Sequence, residues 1–303
     1  MQSTDSTRKL HIGKPAWLKS KIPGGERFLQ IKKDLREKKL YTVCEEAKCP
    51  NISECWNHGT ATFMVLGDTC TRACRFCNVK TGNPEGLLDA DEPRKVAESA
   101  AIMAIDYAVI TMVDRDDLPD GGALHLGKVV KEVRKSNPGI TIELLTGDFH
   151  ADEVQIQSVL AEKPEVFAHN LETVERLSPR VRDARASYRQ SLDVLLKVKK
   201  LANYPVFTKS ALMLGLGEEI SEVKQSLQDM RDYGVDFITL GQYLRPSKKH
   251  LAIKRFVPPK EFDELADFAR EIGFKAVASG PLVRSSYRAG EFYKQAVGQR
   301  GIE

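Results

Sequence analysis

Residues 62–77 read TFMVLGDTCTRACRFC, an apolar run followed at once by three closely spaced cysteines. Residues 62–66 are apolar on both faces, which predicts a buried strand. Cys70, Cys74 and Cys77 then form a C-x3-C-x2-C pattern on the loop that follows. Because α/β folds carry their ligands on loops at the carboxyl ends of parallel strands, this stretch predicts a parallel sheet with a metal site at its edge.

Short apolar runs alternate with longer amphipathic segments from residue 61 onward, which is the pattern of repeated strand–helix units. Strands are predicted at 62–66, 107–113, 141–145, 166–169, 207–214, 237–240 and 276–278. Helices are predicted near 93–105, 122–135, 152–162, 188–202, 220–233 and 259–272, with another around 25–38. Six such units predict an α/β fold with a parallel sheet that forms a complete or partial barrel.

The composition favours a chain that is neither exported nor bound to membranes or nucleic acid. Its 303 residues carry 46 basic and 42 acidic side chains, and the net charge of +4 is too small and too dispersed to predict either kind of surface. The first twenty residues contain no apolar run of signal-peptide length, and no segment reaches the roughly 18 apolar residues of a membrane span. We therefore expect a cytoplasmic protein.

All six cysteines lie between Cys44 and Cys77. In a chain that is not exported thiols stay reduced, so this clustering favours metal ligands or redox groups over disulfides. Closely spaced thiolates bind zinc or iron–sulfur clusters, and spacing alone does not choose between them. A structural zinc ion normally takes four ligands, whereas three thiolates on a four-iron cluster leave one iron open, as in a reactive site. Structural zinc or buried free cysteines are the alternative.

The segment from Cys70 to Cys77, with Phe76 directly before the last cysteine, resembles the signature of the radical S-adenosylmethionine superfamily. That resemblance implies a partial (β/α)6 barrel and a [4Fe-4S] cluster on the three cysteines, here called the radical cluster. It also implies that S-adenosylmethionine binds the open iron through its amino and carboxylate groups. One electron from the cluster would then cleave it to methionine and a 5′-deoxyadenosyl radical.

A second cysteine group precedes the first strand. Cys44, Cys49 and Cys55 form a C-x4-C-x5-C pattern, which fits neither a zinc knuckle nor a common ferredoxin loop. A second group of three predicts a second cluster that again lacks a fourth cysteine. Another oxygen or nitrogen ligand would have to complete it.

Seven motifs together resemble the lipoyl synthase family over nearly the whole chain. In chain order they are CEEAKCPNISECW, GDTCTRACRFC, VDRDDLPDGGA, HNLETV, MLGLGE, TLGQYLRPS and SGPLVRSSYRAGE. The resemblance implies that the first cysteine group holds an auxiliary [4Fe-4S] cluster whose remaining ligand is Ser286, the serine before the tyrosine of RSSY. Ordinary turn hydroxyls are the alternative for Ser285 and Ser286.

The same resemblance implies the reaction and its partners. Two sulfur atoms would be inserted at C6 and C8 of an octanoyl chain on a carrier-protein lysine, with two S-adenosylmethionine molecules consumed and the auxiliary cluster giving up its sulfur. Expected partners are octanoylated 2-oxoacid dehydrogenase acyltransferase subunits and glycine cleavage H protein, an electron donor such as flavodoxin or ferredoxin, and cluster-repair proteins. The expected domains are an N-terminal extension (1–60), the barrel (61–282) and a C-terminal extension (283–303), and the two extensions together complete the auxiliary site.

Several residues outside the cysteine groups are candidates for holding S-adenosylmethionine. They are Gly121 and Gly122 for the methionyl amine, Asn170 and Glu172 for the ribose, and Gly215 and Gly217 for the adenine. Loops or helix caps are the alternative for each of them. A group of arginines at 180, 182, 185 and 189 is a candidate for contacting an acidic carrier or the S-adenosylmethionine carboxylate, although most such groups are solvated surface.

Two positions depart from the family pattern. Gly147 stands where the family usually has proline, and Met112 lies where serine is common. Rival functions are a biotin-synthase-like or methylthiotransferase-like radical enzyme, a two-cluster electron-transfer protein, and a zinc protein. A radical enzyme of the first kind would lack the pairing of the C-x4-C-x5-C group with RSSY.

Overall fold

The computed structural model describes residues 13–19, 24–37, 41–42, 45, 49, 51–57 and 62–300. Its main sheet contains the strands Tyr41–Thr42 (β1), Thr62–Val65 (β2), Tyr107–Met112 (β5), Thr141–Leu145 (β6), Val166–Ala168 (β7), Phe207–Leu214 (β8), Phe237–Gln242 (β9) and Ala276–Gly280 (β10). A second sheet pairs only Thr69–Cys70 (β3) with Lys80–Thr81 (β4) and holds the cysteine loop.

The strand order of the main sheet is β1-β2-β5-β6-β7-β8-β9-β10. Neighbours from β2 to β10 are parallel, and within the described chain β1 alone runs antiparallel, against β2. Because β1 and β10 each have one partner, the sheet stays open at both edges as a partial barrel. The expected α/β fold is confirmed, and each strand predicted from the sequence is present within two residues of its expected ends.

Most helices connect consecutive parallel strands, whereas α1 and α2 precede the first parallel strand and α10 follows the last. In chain order they are Glu26–Glu37 (α1), Ile52–Asn57 (α2), Glu92–Ile102 (α3), Ala123–Ser136 (α4), Glu153–Leu160 (α5), Ser178–Val181 (α6), Tyr188–Leu201 (α7), Ile220–Asp232 (α8), Pro259–Glu271 (α9) and Ala289–Arg300 (α10). Side-chain caps fix several starts: Asp152 accepts hydrogen bonds from the first free amides of α5, and Ser187 does the same for α7.

The segment before β2 contributes to the main core. Its polar composition predicts an extension outside the core, yet Leu35 of α1 and Trp56 of α2 are fully buried and belong to the same hydrophobic cluster as β2, β5 and β6. The Trp56 ring lies against Phe28, with ring centroids 5.1 Å apart. Burying aromatic side chains of this size stabilises a fold strongly, so the N-terminal segment and the barrel depend on each other.

The C-terminal helix α10 covers the amino ends of the strands. Ala296 is buried among the first residues of four strands, Val166, Phe207, Phe237 and Ala276, and Phe292 and Tyr293 pack beside it. The Tyr293 ring also contacts Tyr107 at the start of β5, with centroids 5.8 Å apart. Since this end is covered, the carboxyl ends of the strands are left to form a site.

Among the residues that the structure describes, no helix combines the length and the apolar character needed to cross a membrane.

Candidate active site

A cavity of about 600 Å³ opens at the carboxyl ends of the parallel strands. Its walls include the final residues of several strands and the residues just after them: Thr111 to Asp114, Leu145 to Asp148, Asn170, Glu172, Leu212, Met213 and Gln242 to Arg245. This is the edge at which parallel α/β folds bind ligands. Its volume lies in the range of small-molecule sites.

Cys70, Cys74 and Cys77 all line this cavity, as the loop position predicts. Backbone amides donate to two of the sulfurs, from Arg72 to Cys70 Sγ at 3.4 Å and from Asp183 to Cys74 Sγ at 3.3 Å. His250 Nε2 lies 2.9 Å from the carbonyl oxygen of Cys77. The loop is therefore held from two directions, and its sulfurs receive donors of the kind that tune thiolate clusters.

The three thiols suit a soft multi-iron group. Burial raises the pKa of Cys70 to about 11 and that of Cys74 to about 12, and it also raises the pKa of Cys77. They are neutral near pH 7, so a metal must displace their protons. Among the described residues, no three His, Cys, Asp or Glu side chains are placed to hold a metal ion, so these thiols line one cavity without being gathered at one point. Three thiols around one cavity fit a cluster with an open iron.

Arg72 fixes the cysteine loop to two neighbouring strand ends. Its guanidinium is buried and donates to Asp148 at 2.5 and 2.8 Å and to Asp116 at 2.9 and 3.1 Å. Burial alone would raise the pKa of Asp148, but the hydrogen bonds from Arg72 hold it at about 2. Asp114 lies farther away, at 3.7 Å, and burial raises its pKa to about 6. The loop is thus anchored by protein contacts alone.

Asn170, Glu172 and Phe76 also line the cavity. Asn170 Nδ2 donates to Glu172 Oε1 at 3.0 Å, while the buried Asn170 Oδ1 has no hydrogen-bond partner among the described residues. Glu172 has a φ of 68°, a left-handed conformation that non-glycine residues rarely adopt. An orphaned acceptor and a strained backbone at one wall are typical of a ligand site.

The structure does not bring the four candidate glycines to this cavity. A Cβ at Gly122 would lie 2.7 Å from the Leu66 side chain, so this glycine permits helix α4 to pack against the end of β2. Gly121 lines a separate cavity of about 260 Å³. A Cβ at Gly215 would overlap the amide of Gln242, and one at Gly217 would contact Lys254. Close packing explains glycine at 122 and 215, and the S-adenosylmethionine contacts of the four glycines stay predictions.

The sequence missed the residues immediately after β5 and β6, and the arginine group is split. Asp114 and Asp148 line the cavity, and the rule that strand ends carry the site would have found both. Arg182 is buried, lines the cavity and donates to Ser191 Oγ at 2.7 Å. The other three are exposed: Arg185 pairs with Asp183 and also donates to the Thr71 carbonyl of the cysteine loop at 2.7 Å, Arg189 pairs with Glu175, and Arg180 completes the group.

The C-terminal segment joins the second cysteine group to the cavity. Ser285 and Ser286 line the cavity, and Ser286 Oγ accepts a hydrogen bond from Thr62 Oγ1 at 2.9 Å. Asn51 Nδ2 donates to the Leu282 carbonyl at 2.6 Å across 231 residues of sequence, and Tyr287 donates to Glu54 at 3.1 Å.

Cys49 and Cys55 lie on the same stretch as Asn51 and Glu54, partly buried against the main core, whereas Cys44 lies outside the described residues. Two thiols and a serine hydroxyl therefore come from segments that are bonded to each other. This donor set is compatible with a cluster that has one oxygen ligand.

Comparison with known proteins agrees with this geometry. The model of the radical S-adenosylmethionine superfamily matches residues 64–230, and the model of the N-terminal domain of lipoyl synthase matches residues 2–49. Lipoyl synthase of Thermus thermophilus is 53% identical over 283 residues, which cover 93% of this chain and 87% of that protein. The mitochondrial lipoyl synthase of Leishmania braziliensis is 52% identical, covering 94% and 78%.

The chain belongs to the lipoyl synthase family.

Members of this family are radical S-adenosylmethionine enzymes, so the chain is an enzyme that uses S-adenosylmethionine and a [4Fe-4S] cluster. Among solved structures, the FeFe-hydrogenase maturase HydG from Carboxydothermus hydrogenoformans shares the fold with a TM-score of 0.55 at 12% identity. The match covers 90% of this chain and 70% of that chain. At that identity the likeness concerns the fold alone.

Gly147 and Met112, the two positions expected to depart from the family pattern, lie near each other. A Cβ at position 147 would overlap Asp114 Oδ1, and Met112 Cε lies 3.7 Å from the same point. Both residues line the same cavity. Glycine at 147 leaves room for the Asp114 carboxylate beside Met112.

Proposed function

We propose that this chain inserts two sulfur atoms at C6 and C8 of an octanoyl chain carried on a lysine of a lipoyl carrier protein. Cys70, Cys74 and Cys77 would hold the radical cluster. Cys44, Cys49, Cys55 and Ser286 would hold the auxiliary cluster, whose sulfur is the second substrate. Two S-adenosylmethionine molecules would be consumed for each lipoyl group.

The observation that carries this proposal is that one cavity is lined by both Cys70–Cys77 and Ser286. A single cluster would need only the first set. Of the auxiliary ligands, Ser286 lines this cavity, and its segment is hydrogen-bonded to the stretch that carries Cys49 and Cys55. This arrangement supports a reaction in which an acyl chain lies between a radical source and a sulfur source. A biotin-synthase-like or methylthiotransferase-like enzyme has no need of this pairing with RSSY.

The protein's own residues would bind, orient and shield the reactants. Abstraction of hydrogen from an unactivated C–H bond is beyond any side-chain acid or base, and bound S-adenosylmethionine with its cluster supplies the radical that does it. Asn170 and Glu172 offer an acceptor and a carboxylate for ribose hydroxyls. Met64, Leu145 and Leu212 give the cavity apolar walls that suit an octanoyl chain and exclude water.

The partners follow from the reaction. The acyl substrate would be an octanoylated 2-oxoacid dehydrogenase acyltransferase subunit or glycine cleavage H protein. An electron donor such as flavodoxin or ferredoxin would reduce the radical cluster. Repair proteins would rebuild the auxiliary cluster after each turnover, because its sulfur is consumed.

The test is anaerobic reconstitution with iron and sulfide, followed by incubation with S-adenosylmethionine, a reductant and an octanoylated carrier peptide. We expect 5′-deoxyadenosine and a peptide carrying two added sulfurs, both measured by mass spectrometry. If neither deoxyadenosine nor thiolated peptide forms and the clusters are reduced and oxidised reversibly, the chain would instead be an electron-transfer protein.

Variants separate the two ligand sets. C49A and S286A should still cleave some S-adenosylmethionine but should add no sulfur, whereas S285A is the matched control, since Ser285 lines the same cavity and is not assigned as a ligand. Sulfur insertion retained in C49A would overturn the role of the auxiliary cluster as sulfur source.

A further inference from the structure

Arg284 occupies a position that the proposed reaction leaves without a role. Its side chain lines the cavity next to Ser285 and Ser286. The end of β9 is shaped to receive it: a Cβ at Gly241 would overlap the Val283 carbonyl and would lie 3.3 Å from Arg284 Nη1. The turn that carries Arg284 therefore packs directly on a bare stretch of backbone, which fixes where the guanidinium lies.

The guanidinium of Arg284 differs in its surroundings from the other arginines near the site. Arg72 is bonded to Asp116 and Asp148, and Arg288 pairs with Glu291 at 2.8 Å. Arg284 donates to the Val283 carbonyl at 2.5 Å, but no carboxylate among the described residues forms an ion pair with it.

Arg284 is half-buried at the cavity wall. It lies between Leu282, whose carbonyl accepts a hydrogen bond from Asn51, and Ser286. A cation that is partly withdrawn from water is normally matched by an anion in proteins. The anion in this case has to come from something that the side chains of the described residues do not provide.

We infer that Arg284 is the counter-charge of the auxiliary cluster, a positioning residue that sets the charge balance around Cys49 and Ser286. The inference rests on the proposed function, because it requires that cluster. A four-iron core with three thiolate ligands and one alkoxide ligand carries net negative charge, and a guanidinium beside it offsets that charge in a partly desolvated site. One-electron reduction adds a further negative charge, so the cation favours the reduced form.

The test isolates the auxiliary cluster in the full chain. A C70A/C74A/C77A background removes the radical cluster, and R284M, R284K and R288M are then compared in it. Arg288 is the matched control, since it lies four residues along the same segment, is exposed and is paired with Glu291. The measurements are iron per chain and the midpoint potential from an anaerobic redox titration followed by electron paramagnetic resonance.

We expect R284M to lower the reduction equilibrium constant of the auxiliary cluster by about tenfold, a shift of about 59 mV to more negative potential for one electron. R284K keeps the positive charge and should shift the midpoint potential much less, and R288M should leave the potential unchanged. Loss of iron in R284M with iron kept in R284K would also support a counter-charge.

Three results would overturn the inference. A fully loaded cluster with an unchanged midpoint potential in R284M would show that the charge of Arg284 does not affect the cluster. Loss of iron in both R284M and R284K would show that Arg284 has a packing role only. Weakened S-adenosylmethionine binding by R284M in the chain with both clusters, at unmoved potential, would assign the cation to that ligand. A background variant that binds no iron would instead overturn the auxiliary cluster itself, and with it the proposed function.

Discussion

Arg72 shows how single residues prepare this site before any cofactor binds. It lies inside the cysteine loop, yet its bonds run to Asp116 after β5 and Asp148 after β6. The geometry of the loop is thereby tied to the sheet. Cluster assembly then requires the three thiols to lose their protons, but it does not require the loop to change conformation.

Replacing Arg72 should therefore be costly. R72M leaves Asp148, which is fully buried, without its partner, and we expect the free energy of unfolding to fall by about 3–5 kcal/mol. Urea denaturation of the metal-free chain measures this. The double variant R72M/D148N should recover part of the loss, and a fall below about 1 kcal/mol in R72M alone would contradict the anchoring role.

Asp114 should give the fold a distinct pH dependence. Its pKa is raised by burial from 3.8 to about 6, so the stability that its proton provides is fully present below pH 3.8 and is lost as pH rises through 6. D114N cannot lose that proton. We expect the stability of D114N relative to the parent to increase between pH 4 and pH 7 in urea denaturation of the metal-free chain, and a flat difference would contradict the raised pKa.

At the scale of elements, the strands and the helices between them follow from periodicity, but the two ends of the chain do not. Residues 207–214 read FTKSALML, an apolar segment interrupted by Lys209 and Ser210, and β8 has the bounds that the sequence predicts. Helix α10 was missed because Gly290 interrupts its first turn and because its apolar residues form no clear stripe. Its place is set by the strand ends it covers, which is information that no local pattern contains.

The bond between Thr62 and Ser286 should hold the C-terminal segment against β2. T62V removes the donor, and we expect a loss of about 1 kcal/mol and faster cleavage after the RSSY motif in limited proteolysis. T111V is the matched control, because Thr111 is a buried threonine on β5 whose hydroxyl donates to the Leu145 carbonyl instead. Equal proteolysis of the two variants would contradict this role of Thr62.

Helix α10 offers a test of packing far from the cavity. Ala296 is buried and Val297 is 41% exposed, so A296L should destabilise the fold by about 1–3 kcal/mol while V297L should be nearly neutral. Both are measured by urea denaturation. Affinity for S-adenosylmethionine at a permissive temperature should be unchanged in both, and a selective loss in A296L would show that the two ends of the barrel are coupled.

At the scale of the whole molecule, the chain brings ligands to one cavity from segments far apart in sequence. Motif spacing predicts Cys70, Cys74 and Cys77 as a local group, and the structure places all three on the cavity. The contact of the Asn51 region with Leu282 depends on the complete fold, and the sequence pointed to it only through family resemblance. The role of Gly215 could not be read from the sequence, because a glycine needed for close packing looks the same there as one that contacts a ligand.

Loading the two clusters should stabilise the molecule unequally. The proposed auxiliary cluster would join the two segments that the Asn51–Leu282 hydrogen bond links across 231 residues, whereas the radical cluster would close a loop within residues 70–77. Loop-closure entropy then favours the auxiliary cluster by about 3 kcal/mol. We expect the melting temperature to fall more when iron is withheld from the auxiliary site (C44A/C49A/C55A) than from the radical site (C70A/C74A/C77A). The reverse order in calorimetry would contradict it.

The cover that α10 forms over the amino ends of the strands has a consequence for the order of events. If the described barrel is entered from its carboxyl end, the acyl arm and S-adenosylmethionine enter, and methionine and deoxyadenosine leave, through the same opening. In the proposed reaction two S-adenosylmethionine molecules are used for each lipoyl group, so the first set of products would have to leave past the half-modified arm before the second molecule enters. Exchange of products for reactants at this shared entrance would then limit the turnover rate, rather than the chemical steps.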